Sequence, residues 1–267
     1  MSDGTRILVY VNQKGGTGKS TIAYNHGFYL AEIGKRVLFI DGDEQANSSK
    51  SLATYAVPSI AASSLFSESP ISLPTLPQKL VLLRGDNGLR AIERSAKDDE
   101  ELVKLLRARL EDIKAGFDYI VIDTAGSNSR VANALLVASE YAVLPCKIDP
   151  YSIDVAMDVL KRIVFIQKSW NPGLVNLGIL PNEYDSTSPA QKGWLKELAS
   201  AYPQFMLGAW VSKRSAFREA AGEGIPVWKV ASDTDDESPG KVKTAARTAG
   251  KEIKAVFQMM QVKMGDA

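Results

Sequence analysis

Apolar residues along this chain come in two rhythms. Short runs with little polar alternation occur at "RILVYV" (6–11), "RVLFI" (36–40), "KLVLL" (79–83), "YIVID" (119–123), "YAVLP" (141–145), "VNLGIL" (175–180) and "LGAWV" (207–211). Runs of this kind predict strands covered on both faces, as in a parallel sheet. Between them, apolar positions recur at helical spacing over about 19–33, 98–115, 129–138, 152–170, 188–201 and 241–262. In "DDEELVKLLRARLEDIKAGF", Leu102, Leu105, Leu106, Leu110 and Ile113 keep to one face. Acidic residues crowd its first turn, where the helix dipole favours them. Strand–helix alternation throughout predicts an α/β fold, a doubly wound and mostly parallel sheet, in one domain over 1–267. The Ser- and Pro-rich stretch "AVPSIAASSLFSESPISLPTLPQ" (56–78) is expected to be an irregular surface excursion. The first strand begins so near Met1 that an N-terminal helix-turn-helix domain is not expected.

Charge and cysteine content narrow the picture by exclusion. A formal net charge of +1 gives no global pull towards polyanions, so any such contact must come from a local patch. The single cysteine, Cys146, rules out an internal disulfide or a site built from several thiolates of one chain, and suits a reducing cytoplasm. No apolar stretch has the length or flanks of a signal peptide or membrane span, so a cytoplasmic location is expected.

The chemistry concentrates in "NQKGGTGKST" (12–21). It follows a strand and opens a helix, the context a phosphate-binding loop requires. Gly15, Gly16 and Gly18 let backbone N–H groups converge on phosphate oxygens, and the helix N-terminus adds partial positive charge. Lys19 would reach the β- and γ-phosphates and Ser20 would ligate Mg²⁺. The strict pattern G-x-x-x-x-G-K-[ST] fails, because its first glycine falls on Gln13 and a second lysine, Lys14, follows.

With that second lysine the loop resembles the deviant Walker A box of the ParA/MinD family of ATPases. Three more segments carry the resemblance: "KRVLFIDGDEQANSS" (35–49), "FDYIVIDTAGS" (117–127) and "GILPNEYDS" (178–186). The resemblance implies a P-loop NTPase fold that binds ATP and Mg²⁺, with Gly15, Gly16, Thr17, Gly18, Lys19, Ser20 and Thr21 around the phosphates. It makes Lys14 the signature lysine, which crosses to the nucleotide of the other subunit in a homodimer. Asp123 becomes the Walker B aspartate, Asp41 shares the outer shell of Mg²⁺, and Asp43 positions the attacking water. Gly126 offers a backbone N–H to the γ-phosphate, and Asn182 reads the adenine edge. Gln45 and Asn47 support the switch segment. The sequence departs from the family pattern at Glu44, where proline is usual, and at "TAGS", where "TPPS" is commoner. These changes bear on loop rigidity and hydrolysis rate, which the resemblance implies is slow and partner-stimulated. His26, alone on the helix after the loop, is expected to pack rather than react.

The C-terminal third bears on what the ATPase moves. "VSKRSAFREAAGEGIPVWKV" (211–230) is similar to the family segment that binds double-stranded DNA without sequence preference. Lys213, Arg214 and Arg218 cluster there, with Lys241, Lys243 and Arg247 following; a key family arginine falls on Ala216. The resemblance is closest to ParA-type partition ATPases, which coat the nucleoid and release when a ParB-like adaptor stimulates hydrolysis. The alternatives are a nucleoid-based positioning ATPase for a protein cargo, such as a microcompartment or chemotaxis cluster, and MinD-like membrane patterning. The last is the weaker, because the apolar stripe Ile253, Val256, Phe257 and Met260 of the final helix is more simply buried against the sheet.

Overall fold

The computed structural model describes residues 4–74, 76–231 and 242–266. Its elements, in chain order, are β1 (Arg6–Tyr10), α1 (Lys19–Glu32), β2 (Val37–Gly42), α2 (Asn47–Ser51), β3 (Ala56–Ala61), β4 (Leu80–Arg84), α3 (Gly88–Glu93), α4 (Asp99–Lys114), β5 (Tyr119–Thr124), α5 (Arg130–Val137), β6 (Tyr141–Lys147), α6 (Pro150–Ser169), β7 (Val175–Tyr184), α7 (Pro189–Ala201), β8 (Val211–Ser212), α8 (Ala216–Glu223) and α9 (Thr244–Lys263). The strands form one sheet in the order β3-β4-β2-β5-β1-β6-β7-β8. Every pairing is parallel.

Helices cover both faces, which is why the strands carry apolar residues at successive positions. Side chains alternate across the pleat. Ile7 and Val9 join the layer of α4, α5 and α6, with Leu106, Leu135 and Ile163. Leu8 and Tyr10 join the layer of α1, α8 and α9, with Ile22, Phe217 and Phe257. Helix starts follow their local chemistry. Asp98, Ser129, Asp149 and Ser188 each cap a helix by accepting a backbone N–H, with Pro150 and Pro189 in the first turn.

Three expectations need correction. The irregular excursion contains β3, which tolerates Pro58 because it lies at the sheet edge, where a missing N–H breaks no ladder on its outer side. The run 207–211 is not a full strand: Met206 makes one bridge to Ile179, and only Val211–Ser212 then pair with β7. Short helices α2, α3 and α8 lack the length for a clear period and were not expected.

The apolar stripe of α9 is buried as expected, with Ile253, Phe257 and Met260 fully inside. His26 stacks on Phe257 at 4.4 Å between ring centroids, and its Nδ1 pairs with the Tyr10 hydroxyl at 2.8 Å. Burial pushes the imidazole down to about 3, so it is neutral in the folded chain. The unfolded chain binds that proton below its ordinary value near ~6.5. The contribution of His26 to stability is therefore complete above that value and is lost as pH falls towards the folded one. Between pH 7 and pH 5 the wild type should lose about 2 kcal/mol relative to His26→Gln, read from urea midpoints.

Candidate functional site

The carboxyl ends of β1, β2 and β5, adjacent at the centre of the sheet, hold the chemistry. This is where an open α/β sheet leaves a crevice. After β1 the chain turns through the glycine loop into α1, whose N-cap Gly18 adopts φ 92° and provides no side-chain cap. The first N–H groups of α1 are thus left to an external acceptor. A Cβ on Gly18 would lie 2.0 Å from Asn182 Nδ2, so only glycine fits. Asn182, buried on β7, donates that Nδ2 to the Thr17 carbonyl at 2.8 Å. Asn12, which sequence reasoning missed, donates Nδ2 to Pro145 O at 2.8 Å and accepts from the Lys14 N–H at 3.0 Å. The loop is thereby tied to β6 and β7 independently of any ligand. Gly126 backs onto it so closely that a Cβ there would come within 2.9 Å of the Gly15 Cα.

The two lysines have different surroundings. Lys19 is buried, with Nζ 3.5 Å from the Lys14 carbonyl. Desolvation lowers its pKa while Asp123 and Asp43 hold it up. Lys14 stays on the rim, its side chain 36% exposed. Its Nζ donates to Ser152 Oγ at 2.7 Å and approaches Asp149 Oδ1 at 3.4 Å, both at the N-terminus of α6. Ser152 and Asp149 also carried no signal in the sequence beyond the helix-cap pattern "DP".

Asp41 and Asp123 face each other in register on neighbouring strands, and both are fully buried. Asp41 Oδ2 accepts from the Ser49 N–H and hydroxyl at 2.7 and 2.6 Å. Asp123 Oδ2 accepts from Ser48 Oγ at 2.7 Å, while its Oδ1 is buried without a partner. Burial raises both carboxyl pKa values, and for Asp41 the charge of Asp123 adds to the rise. An orphaned carboxylate oxygen beside a second buried carboxylate and the Ser20 hydroxyl is a hard-oxygen donor set that suits Mg²⁺, which takes few protein ligands and keeps its waters. Asp43 lines a cavity of about 580 Å³ together with Gly15, Gly42 and Gly126. Its carboxylate accepts from the Gln45 N–H at 2.9 Å. Glu44, at the usual proline position, pairs with Arg90 at 3.2 Å. Thr17 is buried in the loop, and the carbonyl of Thr21 accepts from Asn25 Nδ2 at 2.7 Å inside α1. Asn47 begins α2, after Ala46 in the left-handed region at φ 53°.

The basic residues are less uniform than their sequence suggests. Arg214 pairs with Glu252 at 3.5 Å and Lys243 with Glu219 at 2.8 Å. Lys213, Arg218 and Arg247 are exposed and form no ion pair among the described residues. Lys241 lies outside the described residues. Ala216 is buried, so the position of the family arginine is here part of the core.

A glycine loop between a central strand and helix, a buried lysine and strand-end carboxylates define a P-loop NTPase fold. Comparison with known proteins narrows this. The AAA domain model matches residues 5–176 and the VirC1 protein model residues 95–264. Protein IncC of Escherichia coli is 33% identical over 97% of this chain and 70% of its own length. Chromosome partitioning protein ParA of Caulobacter vibrioides is 27% identical over 83% of this chain and 86% of its own. Among solved structures, an ATP complex of a Cyanothece McdA variant superposes with a TM-score of 0.77 at 20% identity, covering 96% of both chains. The chain belongs to the ParA/MinD family of ATPases.

Ala46 stands in a backbone conformation that glycine adopts at lower cost. Ala46→Gly should stabilise the chain by about 0.5–1 kcal/mol, the left-handed penalty less the entropy of glycine, as a rise in thermal midpoint.

Proposed function

We propose that this chain is a ParA-type partition ATPase that binds ATP–Mg²⁺, pairs with a second copy, coats DNA non-specifically and is discharged by a ParB-like adaptor. The observation that carries the reading is the orphaned, buried Oδ1 of Asp123, opposite Asp41 and within the field of Lys19. When bound, Mg²⁺ would supply positive charge to the phosphate oxygens and a template for them. The loop N–H groups and Lys19 would cradle those oxygens, and Ser20, Asp123 and Asp41 are the residues that would hold the metal. Asp43, in the cavity it lines with Gly15 and Gly126, would orient the attacking water, and Gly126 would offer its N–H where charge gathers. Asn182 already donates one amide hydrogen to Thr17; its remaining amide groups would read the adenine edge. The partition names of the relatives support the biological role, and no helix among the described residues is long and apolar enough to cross a membrane.

Lys14 is the coupling element. Its ion pair with Asp149 is about one-third exposed on each side, so leaving it for a partner's phosphates costs about 1 kcal/mol or less; the buried Ser152 Oγ, which also donates to Asp149 at 2.6 Å, keeps that partner. Lys14→Gln should abolish ATP-dependent dimerisation in sedimentation while monomer ATP binding persists. Asp43→Ala should trap the ATP-bound dimer; unchanged turnover would remove its role. DNA binding rests on Lys213, Arg218 and Arg247, since Arg214 and Lys243 are neutralised within the chain. A double Arg218→Ala, Arg247→Ala variant should weaken ATP-dependent binding for all sequences alike. It should also flatten the plot of log affinity against log salt by about two units per protomer.

A further inference from the structure

Away from the nucleotide crevice, a cavity of about 600 Å³ opens between α4, α5 and α6. Val103, Val137 and Ile166 form its buried floor, while Phe165 stands on its lip 58% exposed. A second hollow shares Val103 and Trp170 with it, extending the groove between α4 and α6. Among the described residues nothing covers this exposed phenylalanine over its apolar floor. The charges around the groove are mostly self-contained: Arg130 pairs with Asp99 at 2.7 Å and Lys161 with Asp158 at 2.9 Å. Arg162 is the exception. Among the described residues its guanidinium meets no carboxylate, only neutral amides. Nη1 donates to Asn133 Oδ1 at 2.7 Å and to Asn128 Oδ1. With the Gln13 amide turned so that its oxygen accepts, Nη1 and Nη2 also reach that oxygen at 3.2 and 3.1 Å.

We propose that this groove docks a segment of a protein partner that presents an apolar side chain beside a carboxylate, the first packing on Phe165 and the second taking Arg162. Charge complementarity selects the occupant. A carboxylate accepts a guanidinium's forked pair of hydrogen bonds about twice as strongly as a neutral amide accepts one. The incoming group would therefore draw Arg162 away from Asn128 and Gln13. Gln13 directly precedes Lys14, and Asn128 lies two residues beyond Gly126, so docking loosens both loops that border the phosphates. The effect on turnover rests on the ATPase reading above; the docking itself does not.

The test selects short peptides displayed on phage against the full chain, then measures the enriched sequences as labelled peptides by fluorescence anisotropy. Enriched peptides should pair an aliphatic or aromatic residue with Asp or Glu. Their affinity should fall about tenfold or more for Arg162→Gln and for Phe165→Glu, with Arg162→Lys between. Circular dichroism spectra and melting curves check that each variant folds. Failure to enrich acid-bearing peptides, or equal binding by Arg162→Gln, would overturn the proposal. So would loss of self-association in Phe165→Glu by sedimentation, which would give the groove to a second copy. If the peptides bind as expected and the chain hydrolyses no ATP, the docking site stands and the ATPase reading falls.

Discussion

Two carboxylates buried in register on adjacent strands are an expensive arrangement, and the rest of the crevice is organised around them. Asp41 and Asp123 are both sealed from water, burial makes each harder to ionise, and the charge of Asp123 adds to the effect on Asp41. Hydrogen bonds from Ser48 and Ser49 at the start of α2 offset part of that cost. Buried Lys19 supplies opposite charge to Asp123. One carboxylate oxygen still lacks a partner. A site held in this condition favours a cation, and the parallel sheet sets its position by bringing three strand ends to one edge.

The segment that follows β2 is bound to this pair by short connections. Asp43 follows Asp41 by two residues, and its own N–H donates to Asp41 Oδ1 at 3.2 Å. Ala46 is held left-handed immediately before the helix that supplies both serines. Strain of about 1 kcal/mol at such a position persists only where its surroundings over-determine it. Any movement of Asp41 therefore reaches Asp43 through covalent geometry and one hydrogen bond, with no long relay needed.

Much of this was legible in the sequence. The unalternating apolar runs marked six of the strands because burial on both faces leaves a local compositional trace. The glycine loop, Asp41 and Asp123 stood out because each closes or follows such a run, whereas Asp43 and Asn182 were singled out only by the resemblance of their segments to the family's boxes. What escaped has a common cause: it depends on contacts between distant segments. Asn12 looks like any loop asparagine until Pro145 is placed beside it. Arg214 and Lys243 read as free cations until Glu252 and Glu219 arrive from other elements. β3 was hidden by Pro58, a strand breaker in the interior that an outermost strand accommodates.

Both margins of the sheet are poor templates for further pairing. On one side lies β3, with Pro58 and a break in register against β4; on the other, β8 offers only Val211 and Ser212. Exposed backbone at a margin invites edge-to-edge growth, and short, kinked borders prevent it. Neither margin therefore offers a ladder along which copies of this chain could join into continuous β-ribbons, and the sheet stays closed to growth at both ends.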